Sequence, residues 1–529
     1  MNQTAKFLYL EVYFRKTVFH KLFSLLQILI GASFFFSKDG FGQTSSPQPL
    51  WSKYDNSDAS VSYTGKWITN KNEKCFKGSQ SVSTSKNSEV SFAFNGFKVR
   101  CFGSKGVDMG EMQVTIDGVP KGTVDCFSTE PMFNALLFES DSLKDGKHLL
   151  KLSVKGTRNP AGKGTGITCD AFSCLAVSTY TLTTVSVDNK PLVDSTYLES
   201  VGARCGFEGG NVIRYKNGYR MVTHEITDCD ILSGAEQVLA LYKSEEGTKW
   251  ERVANITPDP GMKRLYAPYW PYDDGYGKAK LKPMTQKWCP QPCYNEKEGK
   301  WNLYYYANER VVRAVSLLAG YDGIEGPYRD SEVMIKLGKP GDPQPSDHWE
   351  GNRINSWHHY QVNGDTFYAF YGSPGKKGIR IGLARSVTGM TGPWKRVSEL
   401  NPVETGSELQ TENPIVQRLE DGNYIALADG GDYGFMKTPR GISVFMSCDG
   451  IHWGKVTYTN LWNYPGKWWH TLRTPLCFLL QPDGNYAMYY TAWTKESVVI
   501  NGANLFNPGK ETLGRAVINL SITGAASSM

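Results

Sequence analysis

The sequence predicts an all-β protein in two parts, a β-sandwich followed by a five-bladed β-propeller. Three observations lead there. The 529 residues hold 54 Gly and 26 Pro, 13% aromatics and only 21% charged side chains, a profile of tight turns and aromatic-faced strands. Residues 50 to 178 alternate short β runs with Asn-Gly and Asp-Gly turns. Beyond residue 200 one strand–turn–strand unit recurs five times.

The N-terminus reads as an export signal over residues 1–43. Lys16, His20 and Lys21 precede the apolar run Leu22 to Phe36, and the small-residue segment Gly40-Phe41-Gly42 follows, with cleavage expected near Gln43. The run is short for a bilayer span, although an uncleaved anchor is the alternative. The expected location is periplasmic or secreted, with no membrane contact after cleavage. A net charge of +6 is small for this length, and no Lys/Arg run lies beyond the leader, which argues against nucleic-acid binding. The eleven cysteines are an odd number without metal-type pairs, and most are expected to be buried small hydrophobes.

The first domain, 50–178, is read from SEVSFAFNGFKVRCFG, EMQVTIDGVPKGTVDCF and KHLLKLSVKG, strands parted by turns. YTGKW, VTIDG and DGKHLLKLSV followed by ITCDAF resemble the jelly-roll modules that accompany carbohydrate-active enzymes. Packing against the next domain is its expected role, with sugar binding the alternative. Residues 179–200 read as a Thr/Ser-rich linker with some strand character.

The propeller, 201–525, is read from units starting at Asn211, Gln291, His358, Asn413 and Thr474, so the starts lie 80, 67, 55 and 61 residues apart. That is the size of a four-stranded blade with variable loops. Outer hairpins follow, and Trp250, Trp394 and Trp453 recur at one place in them, as packing residues. GRAVINLSIT is expected to supply the closing strand. Residues just before each inner strand would line the mouth of the ring.

Hydrolysis of a glycosidic bond needs two carboxylic groups, one protonated and one ionised. Glu412, in TENPIVQ, stands directly before an inner strand, with Pro414 stiffening the backbone behind it. This stretch resembles the Glu-Gly-Pro-apolar pattern of the glycosidase family 43 group, and the resemblance implies that Glu412 is the general acid. The same resemblance implies that Glu208, in GFEGGNVI, is the general base or nucleophile, although that family has Asp there with Pro after it. Where the family carries Trp-Ala-Pro-Asp, with the Asp tuning the acid, this chain reads Trp288-Cys289-Pro290-Gln291. An amide cannot carry that charge. Asp347 ranks first as the substitute, ahead of Glu350, Asp228 and Asp230.

His224, His358, His359 and His470 lie in or beside inner-strand units and could bind hydroxyls or tune a carboxylate. The resemblance implies that His470 sits over the axis near a bound cation, so a structural calcium ion is possible there, with no cofactor required for the chemistry. Arg473 and Arg353 could clamp an acidic sugar or pair with Glu412 or Glu208. Trp270, Trp288, Trp357 and Trp469, with Gln291, complete the expected sugar-binding set, since sugar C–H faces pack on aromatic rings. The expected function is glycoside hydrolysis of a poly- or oligosaccharide by a monomer. A non-catalytic glycan-binding propeller and a uronate-acting lyase using His, Tyr and Arg remain open alternatives.

Overall fold

The computed structural model describes residues 42–227, 237–259, 287–307, 310–342, 345–375, 378–403, 411–429, 441–461, 464–495, 498–500, 503–505 and 510–524. The expected leader falls outside them apart from Gly42 and Gln43, which pair with Thr183 and Leu182. No helix among the described residues is long and apolar enough to cross a membrane.

The chain folds as an all-β protein, a sandwich followed by a five-bladed propeller. In the sandwich an antiparallel sheet runs Val61–Thr64, Glu89–Gly96, Gly146–Val154, Glu111–Ile116, Val119–Asp125 in spatial order. Burial alternates along Glu89–Gly96, so Val90, Phe92 and Phe94 point inward onto Leu150, Leu152 and Phe172. Asp117 and Gly118 both take positive φ and close the two-residue hairpin that the Asp-Gly pair signals. The facing sheet contains Met132–Glu139, Lys98–Lys105, Gln48–Asp55 and the long strand Ala171–Val187.

That long strand corrects the expected linker. Ala171–Leu175 pairs inside the sandwich, and Ser178–Val187 pairs with Glu511–Gly524 as the outer strand of blade five. Tyr180 and Leu182 alternate inward between outward Thr side chains, a period-2 pattern that makes a strand of a Thr-rich segment. The rest of the segment includes the short helix Ser195–Ser200, whose first turn is capped by the Asp194 carboxylate accepting from Tyr197 N.

Blades one to four are four-stranded antiparallel sheets whose inner strands are Phe207–Tyr215, Trp288–Asn295, Trp357–Asn363 and Ile415–Arg418. Blade five runs outward from Thr471–Leu480 through Tyr486–Trp493 and Glu511–Gly524 to Ala171–Val187. The inner strands touch in ring order, and the fifth returns to the first. One apolar cluster fills each of the five seams. Trp250 and Trp394 are buried in two of them and Trp453 packs at the edge of a third, as the recurring position predicts. Among the described residues nine cysteines are free and seven of these are buried, so neither Cys169 with Cys174 nor Cys289 with Cys293 forms a bridge.

Candidate active site

The inner strands begin at one end of the ring, and several buried charged side chains meet there. Glu208 opens the inner strand of blade one and is 4% exposed. A bulge follows at Gly209 and Gly210, with φ of 61° and 131°. A Cβ at 209 would lie 2.2 Å from Cys289 Sγ, and one at 210 would lie 2.0 Å from the Val222 carbonyl oxygen. Gly209 therefore lets blade two approach the backbone behind Glu208, and Gly210 lets the neighbouring strand of blade one close on the bulge.

Cys289 is the hub of that approach. It takes φ of 46°, its N–H donates to His224 Nδ1 at 3.2 Å, and its thiol donates to Asn413 Oδ1 at 3.2 Å. Glu208 and Glu412 thus each stand one residue from a group packed on the same cysteine. Glu412 is 8% exposed and its Oε1 accepts from Asn355 Nδ2 at 2.5 Å. Its carbonyl accepts from the N–H of Asp429, which follows the second strand of blade four. Asp429 Oδ2 accepts from Asn413 at 3.2 Å and from Thr474 at 3.4 Å.

Arg473, in the inner strand of blade five, binds the acids together. Its Nη2 donates to Glu208 Oε1, its Nη1 lies 3.7 Å from Asp429 Oδ2, and its Nε lies 3.9 Å from Glu511 Oε1. Glu511 heads the third strand of blade five and accepts from Thr491 Oγ1 at 2.8 Å. Burial, then the charges of Glu412 and Glu511, push the Asp429 carboxyl well above the usual carboxylate range. Burial raises Glu511 to about 7 against the pull of Arg473 and Thr491. Burial also lowers His224 to about 3 and drives the Cys289 thiol and the Tyr306 phenol well up, so these three are neutral near pH 7. Around Cys289 and Asn413 lies a small cavity of about 10 Å³, room for roughly one water, lined by Asn211, Cys289, Ser356, His358, Asn413 and Thr474 among others.

Of the predicted residues, Glu208, Glu412, His224 and Arg473 meet at this mouth. Trp288 joins them edge-on to His224, with ring centroids 4.7 Å apart. Arg353 is half-buried and bears electrostatically on Tyr306. Others are placed elsewhere. Asp347 is taken up by Ser398 and by Asn401 (2.9 Å) beside the outer strand of blade three, so it is a structural carboxylate. Glu350 is held bidentately by Arg396. Both ends of the Gln291 amide bond the backbone of His359. His359 itself packs among Tyr304, Trp357 and Trp394 in the seam between blades two and three, and Trp357 stands against Trp394 at 4.9 Å. His358 faces the cavity and its Nε2 bonds the Val416 carbonyl oxygen at 3.2 Å. Trp469 is 3% exposed in the seam between blades four and five. His470 is exposed, and Arg473 three residues on holds the central place instead. Trp270, Asp228 and Asp230 lie outside the described residues.

Asp429, Glu511, Asn355 and Tyr306 were not singled out in the sequence. Asp429 had a signal, an acid directly after the fully apolar strand YIALA. Among the described residues no cluster of three or more His, Cys, Asp or Glu side chains is placed for a metal, and the acids at the mouth face the Arg473 guanidinium.

No protein-family model matches the chain. Two curated proteins of Flavonifractor plautii are similar over short stretches. An A type blood N-acetyl-alpha-D-galactosamine deacetylase is 32% identical over 106 residues, 20% of this chain and 14% of that protein. An A type blood alpha-D-galactosamine galactosaminidase is 28% identical over 114 residues, 21% of this chain and 10% of that protein. The matches thus span a small part of either relative. Among solved structures, Zg3597, a family 117 glycoside hydrolase of Zobellia galactanivorans, is 14% identical over 59% of this chain and 83% of its own, with a TM-score of 0.37. A family 43 beta-1,3-galactosidase is 14% identical over 59% and 90%, at 0.35. The alpha-L-arabinofuranosidase PaAbf62A of Podospora anserina is 12% identical over 62% and 95%, at 0.39.

Proposed function

We propose that the chain is a glycoside hydrolase of the family 43 type, with Glu412 as general acid and Glu208 as general base. The observation that carries this reading is the meeting of two buried glutamates from blades one and four around Cys289, with Arg473 bonded to Glu208. An ion pair favours the ionised carboxylate, which is what a base or nucleophile requires. Asn355 orients Glu412 by donating to its Oε1, and burial disfavours the charged form of the carboxyl that must donate a proton. The acid then protonates the leaving oxygen while Glu208 activates water or attacks carbon. Arg473 is engaged by protein carboxylates, which speaks against a lyase that would spend it on a uronate. In the same reading the chain is exported and acts as a monomer on a poly- or oligosaccharide, with the sandwich as its accessory module.

The test starts from 4-nitrophenyl galactosides and N-acetylgalactosaminides of both anomers, because both curated relatives are named for galactosamine sugars, and continues with oligosaccharides. Glu412→Gln should lose about 10²- to 10⁴-fold in kcat on oligosaccharides and far less on 4-nitrophenyl substrates, whose leaving group needs no proton. Glu208→Gln should abolish both. Undiminished oligosaccharide turnover by Glu412→Gln ends the assignment, and an unsaturated product would replace hydrolysis by elimination.

A further inference from the structure

Three nitrogens of the Arg473 guanidinium face three carboxylates borne on three different blades: Glu208, Asp429 and Glu511. All four side chains are buried, and Glu412 bears on Asp429 as well. One positive charge therefore answers up to four negative ones where water is scarce, and such a cluster does not ionise in full. Asp429 Oδ1 is buried and makes no hydrogen bond with the described residues, an arrangement costlier for an ionised carboxylate than for a neutral carboxyl whose bare carbonyl oxygen lies there. Glu511 has a separate anchor, since Thr491 bonds the oxygen nearest Arg473.

We propose that Glu511 is a positioning residue for the base: from the third strand of blade five it fixes Arg473 so that Nη2 points at Glu208, and with Asp429 it carries the cluster's surplus protons. The inference rests on Glu208 being the base. It gives the strand that closes the ring a part in the chemistry. The groups facing the pair are Arg473, Glu208, Glu412, Cys289 and Tyr306, and burial keeps the last two neutral near pH 7. As pH rises Glu511 loses its proton, and its charge then works against ionisation of Glu412. This holds the acid protonated further into the alkaline range.

The experiment is the pH profile of kcat/KM for Glu511→Gln on an oligosaccharide that the natural sequence turns over, because an activated 4-nitrophenyl leaving group does not report the acid. The amide keeps the shape and cannot ionise. The alkaline limb should move to lower pH by roughly half to one unit, with KM within about twofold. Should that variant fail to fold, Thr491→Val carries the test. Loss of the hydroxyl donor keeps Glu511 protonated longer and should move the same limb the same way by less. A profile superimposed on that of the natural sequence overturns the proposal. Turnover surviving in Glu208→Gln overturns the base assignment and this inference with it. Loss of turnover there beside an unmoved Glu511→Gln limb overturns this inference alone.

Discussion

Gln291 and His359 exchange two hydrogen bonds across the seam between blades two and three. Gln291 Nε2 donates to the His359 carbonyl at 2.8 Å, and Gln291 Oε1 accepts from the His359 N–H at 2.9 Å. An amide does both and an ionised carboxylate does only the second. The position at which the family 43 pattern has an acid is used here to join two blades.

Gln291→Glu should therefore weaken the fold without improving catalysis. The variant buries a charge opposite a carbonyl oxygen that has lost its donor, at a cost of about 2–4 kcal/mol near pH 8. Burial raises the pKa of the new carboxyl in the folded state, so the loss grows as pH rises and shrinks as pH falls toward the unfolded value. Urea unfolding at about pH 5 and about pH 8 measures this. Stability equal to that of the parent at the higher pH contradicts the account.

The ring was legible because five copies of one pattern repeat around Gly turns, and repetition survives where single motifs do not. Glu412 was legible because Glu-Asn-Pro interrupts the chain directly before a strand. Asp429 and Glu511 were not, because they reach the mouth from the second and third strands of their blades, and only the folded sheet brings those edges to the axis. Trp357 and Trp469 show a different limit. An aromatic ring in a sequence has the same composition whether it faces sugar or a neighbouring blade, and both rings fill seams. Asp347 shows a third, since a loop carboxylate is equally suited to Ser398 and Asn401 as to a substrate.

The buried histidines should make the protein acid-labile. Burial lowers His359 to about 3 and His224 to about 3, against an ordinary value of 6.5. Above that ordinary value both states are neutral and nothing changes. Below it the unfolded chain takes up protons that the fold refuses, so stability falls as pH drops from 6.5 toward 3. By about pH 5 each histidine costs roughly 2 kcal/mol. His359→Phe, in a site walled by Tyr304, Trp357, Phe367 and Trp394, removes one such group. Its loss of stability between about pH 7 and pH 5 should be smaller than the parent's by about 1–2 kcal/mol, read from urea midpoints. Equal acid slopes would exclude His359 as a contributor.

Asn423 ties the sandwich to the propeller. Its Oδ1 accepts from Trp51 N at 2.9 Å and its Nδ2 donates to Trp51 O at 2.7 Å, with both residues buried. The Trp51 ring is fixed as well, by Nε1 donating to the Cys448 carbonyl at 3.2 Å and by the Arg100 guanidinium 3.8 Å from its centroid. Asn423→Ala leaves a buried N–H and a buried carbonyl on Trp51 without partners, a loss of about 2–4 kcal/mol. Because Ala171–Val187 is one strand shared by the sandwich and blade five, loosening the contact should lower both together. Thermal unfolding followed by tryptophan fluorescence and by far-ultraviolet circular dichroism should then show one transition at a lower temperature. Two separated transitions would mean that the shared strand does not couple the parts, and an unmoved midpoint would mean that Asn423 does not hold them.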